Sequence, residues 1–362
     1  MHIGIDARKY RDFGIGTYIR NLASVFDVHG EHRFTYIVAP GDAALVSGTH
    51  RGNALVNRSG KYSLREVLSI SGQANRSGLD IFHAPHYTLP LGLRMRSVVT
   101  IHDVIHLRFP EYFSPLQRAY ARFMITHAAK SSDAIIVDSE FAGKELRRYV
   151  PVPERKIRVI PLGVSGAYAP EATGESANQF RRHHGIDGPF LLYVGSMKPH
   201  KNVGVLIRAL GRPGGRDMRL VCVGEDIFAD RGHAADIERA GVTARVRSLG
   251  WLPENELPGA YRAATALVLP SLYEGFGLPA LEAMACGTPV ISSNAASLPE
   301  VTGDASLAIS PASEGELAEA IGTLAADASL RASLREKGLR RAARFTWQRC
   351  AEETLNLYGT LA

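Results

Sequence analysis

Three cysteines in 362 residues, far apart and odd in number, leave no basis for a disulfide framework. Cys222, Cys286 and Cys350 fit reduced, buried thiols better than bridges or a metal site. No apolar run approaches the roughly 20 residues of a membrane span. The N-terminus, MHIGIDARKY, enters a strand-like run without the regions that make up a signal peptide. Both absences lead to the expectation of a cytoplasmic protein. There is no Walker A motif and no H-E-x-x-H, which removes the usual signals of P-loop and zinc-protease chemistry. Zinc-finger spacing and RNP-like aromatics are also missing, so nucleic acid is not an expected partner. No internal repeat or low-complexity segment stands out.

What is present is the composition of a globular protein, 45% hydrophobic and 22% charged. The formal charge of +6 suits anionic partners such as phosphates or acidic lipid headgroups. Part of it is local: Arg118, Arg122 and Lys130 precede a cluster of Arg147, Arg148, Arg155, Lys156 and Arg158. These clusters fit either a solvated face or peripheral contact with an anionic membrane.

Apolar runs alternate with helical patterns along the chain, which predicts an α/β fold with parallel sheets covered on both faces. Strands are expected over residues 3–6, 34–38, 81–82, 97–101, 134–138 and 159–160. A Gly-rich turn, Phe13-Gly14-Ile15-Gly16-Thr17, leads into a helix over 18–26. Residues 114–129 read as another helix, and Ser139 as the capping residue of a third. The segment 165–188 is rich in Gly, Pro, Ala and charge and reads as a linker. The alternation then restarts, with strands over 190–194, 220–223, 246–249, 266–269 and 290–292 and a helix over 203–210. A helical stretch over 314–344 and an amphipathic helix over 345–361 close the chain. The expected domains are residues 1–165 and 166–344.

The most informative stretch is ALVLPSLYEGFGLPALEAMACGTPVISS, residues 266–293. It reads as a buried strand, a Gly-rich loop, a helix opened by Pro279 and closed by Gly287, and a return strand. The amides of Phe276, Gly277 and Leu278 would be free at a helix N-terminus, an arrangement suited to phosphate. Glu274 in the loop and Glu282 one turn into the helix flank it. Carboxylates beside phosphate are electrostatically poor, so these acids suit hydroxyls better. Phosphates in the middle and hydroxyls at both ends describe a nucleotide sugar. Each acid alone also fits a plain surface loop or a helix start.

Ligands of open α/β sheets bind at the carboxyl ends of the strands. His102 stands at one such end, where it can exchange a proton or hydrogen-bond a sugar hydroxyl, or be a satisfied core histidine. Asp103 follows it and either orients it or caps the next turn. His86 and His106 are candidates for the acceptor side. Lys201, in the segment Gly195 to Asn202, can neutralise a diphosphate as a bond breaks, or be a plain surface lysine. Gly224, Glu225 and Leu252 lie at strand ends that would reach a nucleobase. Ser297-Leu298-Pro299-Glu300 is expected as a capped helix start.

The string SLYEGFGLPALEAMACGTPVI, with Glu274 and Glu282 spaced E-x7-E, closely resembles the donor signature of the retaining glycosyltransferase family 4, of the two-domain GT-B fold. The likeness extends over nearly the whole chain. It implies two Rossmann-like domains whose parallel sheets face a cleft, with the helix 345–362 crossing back to the first domain. VVTIHDVIHLRFPEYF resembles the family's segment with an active-centre histidine, at His102. The family's lysine matches Lys201, and its preceding arginine position holds Ser196, which leaves Lys198 or a group of the first domain to compensate. Gly14 and Gly16 match a loop near the donor phosphates.

No D-x-D occurs in the chain. Glycosyltransferases of the other large fold use that motif to hold a divalent cation, so a metal-independent enzyme without cofactor is expected. Lys201 and the 276–278 amides would take the metal's place. The segments FGIGTYIRNL and HDVIHLRFPEYF most resemble bacterial mannosyl- and rhamnosyl-type enzymes of polysaccharide assembly, which implies GDP-mannose as donor and a glycan or lipid-linked acceptor. A nucleotide-sugar 2-epimerase and a non-catalytic nucleotide-sugar binder remain as alternatives.

Overall fold

A computed structural model describes residues 1–28, 31–60 and 64–362. It divides into two compact units, Met1–Gly163 with Thr346–Ala362, and Val164–Phe345. The first holds seven parallel strands: β1 (His2–Asp6), β2 (Arg33–Val38), β3 (Asn53–Val56), β4 (Ile81–Ala84), β5 (Arg96–Thr100), β6 (Ala134–Val137) and β7 (Ile157–Val159). Their order is β3-β2-β1-β4-β5-β6-β7. The second holds six: β8 (Phe190–Gly195), β9 (Arg219–Gly224), β10 (Val246–Ser248), β11 (Ala266–Leu269), β12 (Val290–Ser293) and β13 (Ser306–Ile309), in the order β10-β9-β8-β11-β12-β13. IFHA in β4, AIIV in β6 and ALVL in β11 are buried at every position. That continuous burial, without alternation, is what a parallel sheet covered by helices on both faces requires.

In both units the strand order reverses beside the first strand, between β1 and β4 and between β8 and β11. Crossovers leave in opposite directions there, so the carboxyl ends of those strands open a crevice. The last helix, Trp347–Gly359, belongs to the first unit, where the Tyr358 hydroxyl lies 2.5 Å from His83 Nδ1. Gly163 permits this return: a Cβ there would stand 2.1 Å from the Trp347 amide nitrogen.

Several elements differ from expectation. The first helix spans Phe13–Phe26 but is kinked at Gly14, whose backbone is non-helical (φ 2°, ψ −56°), so the expected Gly-rich turn is folded into the helix start, with Gly16 just past the kink. The expected linker contains the helix Glu175–His184, which is polar overall and buries one residue, Phe180, so no apolar run marks it. The stretch 314–344 is two helices, Glu314–Ala326 and Ala328–Ala342, parted at Asp327, whose carboxylate caps the second. Strands β3 and β13 were not expected. Both are sheet edges with partly exposed residues and so lack a buried apolar run. Ser139 caps its helix as expected, accepting from the Ala142 amide.

Candidate active site

In the second unit, β8 and β11 deliver two loops to the same crevice. After β8 the chain makes a short turn, Pro199–Lys201, ended by Asn202 in the left-handed region at φ 58°. Asn tolerates that region better than most residues. The Asn202 side-chain amide donates to the carbonyls of Pro270 (2.9 Å) and Pro311 (2.7 Å), and the Leu272 backbone amide donates to the His200 carbonyl. These bonds fix the Lys201 turn against the loop after β11. Lys201 Nζ then lies 2.8 Å from both oxygens of Glu274. The Ser271 hydroxyl donates to Glu274 Oε1 at 2.8 Å. The lysine expected to meet a diphosphate therefore carries a carboxylate partner in the ligand-free protein.

The loop continues into the helix Leu278–Cys286, with Pro279 in its first turn and left-handed glycines at both ends, Gly277 at φ 105° and Gly287 at φ 77°. Among the described residues the amides of Phe276, Gly277 and Leu278 have no acceptor. Ser297 does not cap its own helix. Its hydroxyl lies 2.9 Å from the carbonyls of Glu274 and Phe276, which holds the loop shape that leaves those amides outward. The capping role expected of Ser297 is thus replaced by loop support, a distinction that only the packing of the two segments makes.

Glu282 accepts from the Tyr261 hydroxyl at 2.7 Å and is also bonded by Tyr168. Burial pushes its carboxyl up to about 7; the two tyrosine hydroxyls oppose that rise without cancelling it. Gly224 ends β9 at φ 123°, and a Cβ there would stand 2.1 Å from the Gly195 carbonyl. Its amide is already used, donating to the Gly250 carbonyl at 2.9 Å. Glu225 accepts from the Met197 amide at 2.8 Å, bracing the segment that holds Ser196. Leu252 is half-buried in the loop after β10.

In the first unit, His102 follows β5 and Asp138 follows β6. His102 Nδ1 is 2.7 Å from Asp138 Oδ2, and Nε2 is 3.2 Å from the Pro85 carbonyl. The Tyr18 ring meets the imidazole edge-on at 5.1 Å. Asp103 does not orient His102: its carboxylate accepts from the Ile105 amide and caps the next turn. Asp138, which does, carries no sequence signal beyond its place at a strand end. His86 rests on Tyr87 at 3.9 Å, and burial holds it well below its ordinary value. His106 stacks on Phe113. The Gly16 amide donates to the Asp12 carbonyl at 2.8 Å, and a Cβ at Gly16 would lie 2.5 Å from the Tyr10 carbonyl. Gly16 therefore serves a close helix approach. A buried ion pair at the end of β1, Arg8 with Asp6 at 2.6 Å, was not anticipated.

The family description "Glycosyltransferase Family 4" matches residues 14–166, and "Glycosyl transferases group 1" matches residues 176–341. The chain is 34% identical over 287 residues to O-antigen chain mannosyltransferase B of Escherichia coli, covering 78% of this chain and 74% of that protein. It is 32% identical over 245 residues to D-inositol 3-phosphate glycosyltransferase of Corynebacterium jeikeium, where the match covers 64% of this chain and 58% of that protein. The structure of sucrose-phosphate synthase from Thermosynechococcus elongatus superposes with a TM-score of 0.81 at 22% identity, over 100% of this chain and 99% of that one.

Proposed function

We propose, for a chain that belongs to glycosyltransferase family 4, that it moves mannose from GDP-mannose to a glycan or lipid-linked hydroxyl, with retention and without a metal. That it is a nucleotide-sugar glycosyltransferase of the GT-B fold is the premise; donor, stereochemistry and acceptor are the proposal. The observation that carries it is the pairing of Lys201 with Glu274 beside the unused amides of Phe276, Gly277 and Leu278. Lys201 and those amides stabilise the leaving diphosphate, Glu282 accepts from the ribose, and Glu274 accepts from the transferred sugar. The outgoing phosphate oxygen takes the acceptor's proton on the face of attack. Mannose is supported by the name of the Escherichia coli relative.

The test incubates the protein with labelled GDP-, UDP- and ADP-sugars, with and without an acceptor extract, and with and without EDTA. Acceptor-dependent transfer from GDP-mannose that survives EDTA, with the donor's anomeric configuration kept in the product, is expected. Turnover without acceptor would mean an epimerase instead. Peripheral membrane contact belongs to the same proposal. Among the described residues no helix is long and apolar enough to cross a membrane. The helix Pro115–Ser131 turns Met124, Ile125 and Ala128 inward and leaves Leu116 80% and Phe123 52% exposed, with Arg118 and Arg122 exposed beside them. Flotation with anionic liposomes should succeed at low salt and weaken at high salt. Failure at both removes the membrane element.

A further inference from the structure

The His102 ring lies between two groups that only accept. Nδ1 faces a carboxylate oxygen of Asp138 at 2.7 Å, and Nε2 faces the Pro85 carbonyl at 3.2 Å. Both bonds exist together only if both ring nitrogens carry hydrogen. The side chains are 18% and 2% exposed, so water does little for either one. The other Asp138 oxygen, Oδ1, is buried with no donor among the described residues, which leaves His102 as that carboxylate's hydrogen-bonding partner.

We propose that Asp138 is a positioning residue that holds His102 as a doubly protonated imidazolium, so that His102 serves transfer as a cationic hydrogen-bond donor and not as a base. The inference rests on the reading that places His102 at the active centre. A ring with both nitrogens protonated has no lone pair to receive the acceptor's proton, which leaves that proton to the departing phosphate. Nε2–H is the donor offered to a ligand oxygen, because its bond to a neutral carbonyl is long. The Nδ1 bond is short and charge-assisted, and fixes the ring.

The neighbours support this charge state. Around the pair stand Tyr18 from the first helix, His83 on β4, His86 after β4, Asp103 beside the ring and Cys350 on the last helix. Burial holds His83 down to about 3 and His86 well below its ordinary value, and it raises Tyr18 and Cys350. None of these four carries charge near neutrality. For His102 itself burial is the largest single influence and disfavours the cation, but attraction and hydrogen bonding to Asp138, with Asp103 and the Pro85 carbonyl, together outweigh it, and the net direction is upward.

Long-range proton–nitrogen NMR of the ligand-free protein reads the state of each imidazole, with His102→Gln assigning the signal among thirteen histidines. The expected result is two protonated ring nitrogens at pH 7 in the wild type and one neutral tautomer in Asp138→Asn. A neutral wild-type ring overturns the proposal, and so does a ring still charged in Asp138→Asn. This arm needs no substrate, so it decides the charge even if every donor sugar fails, an outcome that would remove only the functional reading. With an active donor, kcat should fall on the alkaline side as His102 loses its proton. Asp138→Asn should move that limb down by about one pH unit or more, and Asp138→Glu should restore part of the shift. A limb that does not move, or activity that rises as the ring deprotonates, overturns the proposal.

Discussion

Replacing Glu274 with glutamine should tighten the binding of free nucleoside diphosphate while slowing transfer. In the ligand-free protein Lys201 Nζ sits 2.8 Å from both Glu274 oxygens, with the two side chains 21% and 11% exposed. A diphosphate that uses Lys201 must displace that carboxylate and then remain near its charge. At an effective dielectric near 20, two unit charges about 6 Å apart repel by about 2.8 kcal/mol. Halving this for partial exposure and salt leaves about 1.4 kcal/mol, a factor of about ten in Kd. Glu274→Gln should therefore bind the diphosphate about tenfold more tightly than wild type. The ligand-free fold moves the other way. Breaking a fully buried pair costs about 3–5 kcal/mol, so this partly exposed one should cost about 1–2 kcal/mol. The melting temperature should fall by a few degrees and recover when the nucleotide is added. If Glu274 also positions a hydroxyl of the transferred sugar, kcat should fall about 10²-fold. Calorimetric titration with GDP and UDP, beside turnover on the same preparation, measures both effects. A folded Glu274→Gln that binds the diphosphate no more tightly than wild type refutes the competition between carboxylate and phosphate for Lys201.

Lys201→Ala should lower kcat about 10²–10³-fold at saturating donor, because the diphosphate charge it meets grows as the bond breaks; near-wild-type transfer would make this loop structural. Nucleoside diphosphate affinity should rise between pH 6 and pH 8 as Glu282, pushed up to about 7 by burial, ionises and becomes the stronger acceptor for ribose. Titrations of Glu282→Gln over the same range should be flat, and a parallel rise in the variant would assign the effect elsewhere. For stability the sign is opposite: the folded value exceeds the unfolded one, so the contribution of Glu282 is present below about 4.5 and lost as pH rises through about 7. Chemical denaturation at pH 5 and pH 8 should show that loss in wild type and not in the variant. Gly163→Ala places a Cβ 2.1 Å from the Trp347 nitrogen and 2.4 Å from the Thr346 carbonyl carbon, both backbone atoms, and should destabilise the first unit by about 1–3 kcal/mol. An unchanged denaturation midpoint would mean that the last helix shifts freely.

Central strands announced themselves locally. Residues 134–137 and 266–269 are apolar without interruption because both sheet faces are covered, and Pro279 and Gly287 mark the ends of the helix between β11 and β12. The E-x7-E spacing could be read because both acids lie within one loop and the helix it enters. Edge strands β3 and β13 and the helix Glu175–His184 could not, since each buries too few apolar residues to stand out as an apolar run.

Residue types at the carboxyl ends of strands were therefore determined by the chain alone: His102 after one apolar run, Lys201 after another, and Glu274 and Glu282 on either side of a helix start. Their partners were decided only by the tertiary structure. Lys201 and Glu274 are 73 residues apart, and β8 must lie beside β11 before they meet. His102 and Asp138 are 36 apart and are joined by the pairing of β5 with β6. Glu282 meets Tyr261 across 21 residues, and His83 meets Tyr358 across 275. Hydrophobic period and turn chemistry act over a few residues, so they survive in the sequence. The protonation and charge of a buried group depend on which distant strand end faces it, and strand order, which sets that, is a property of the folded sheet.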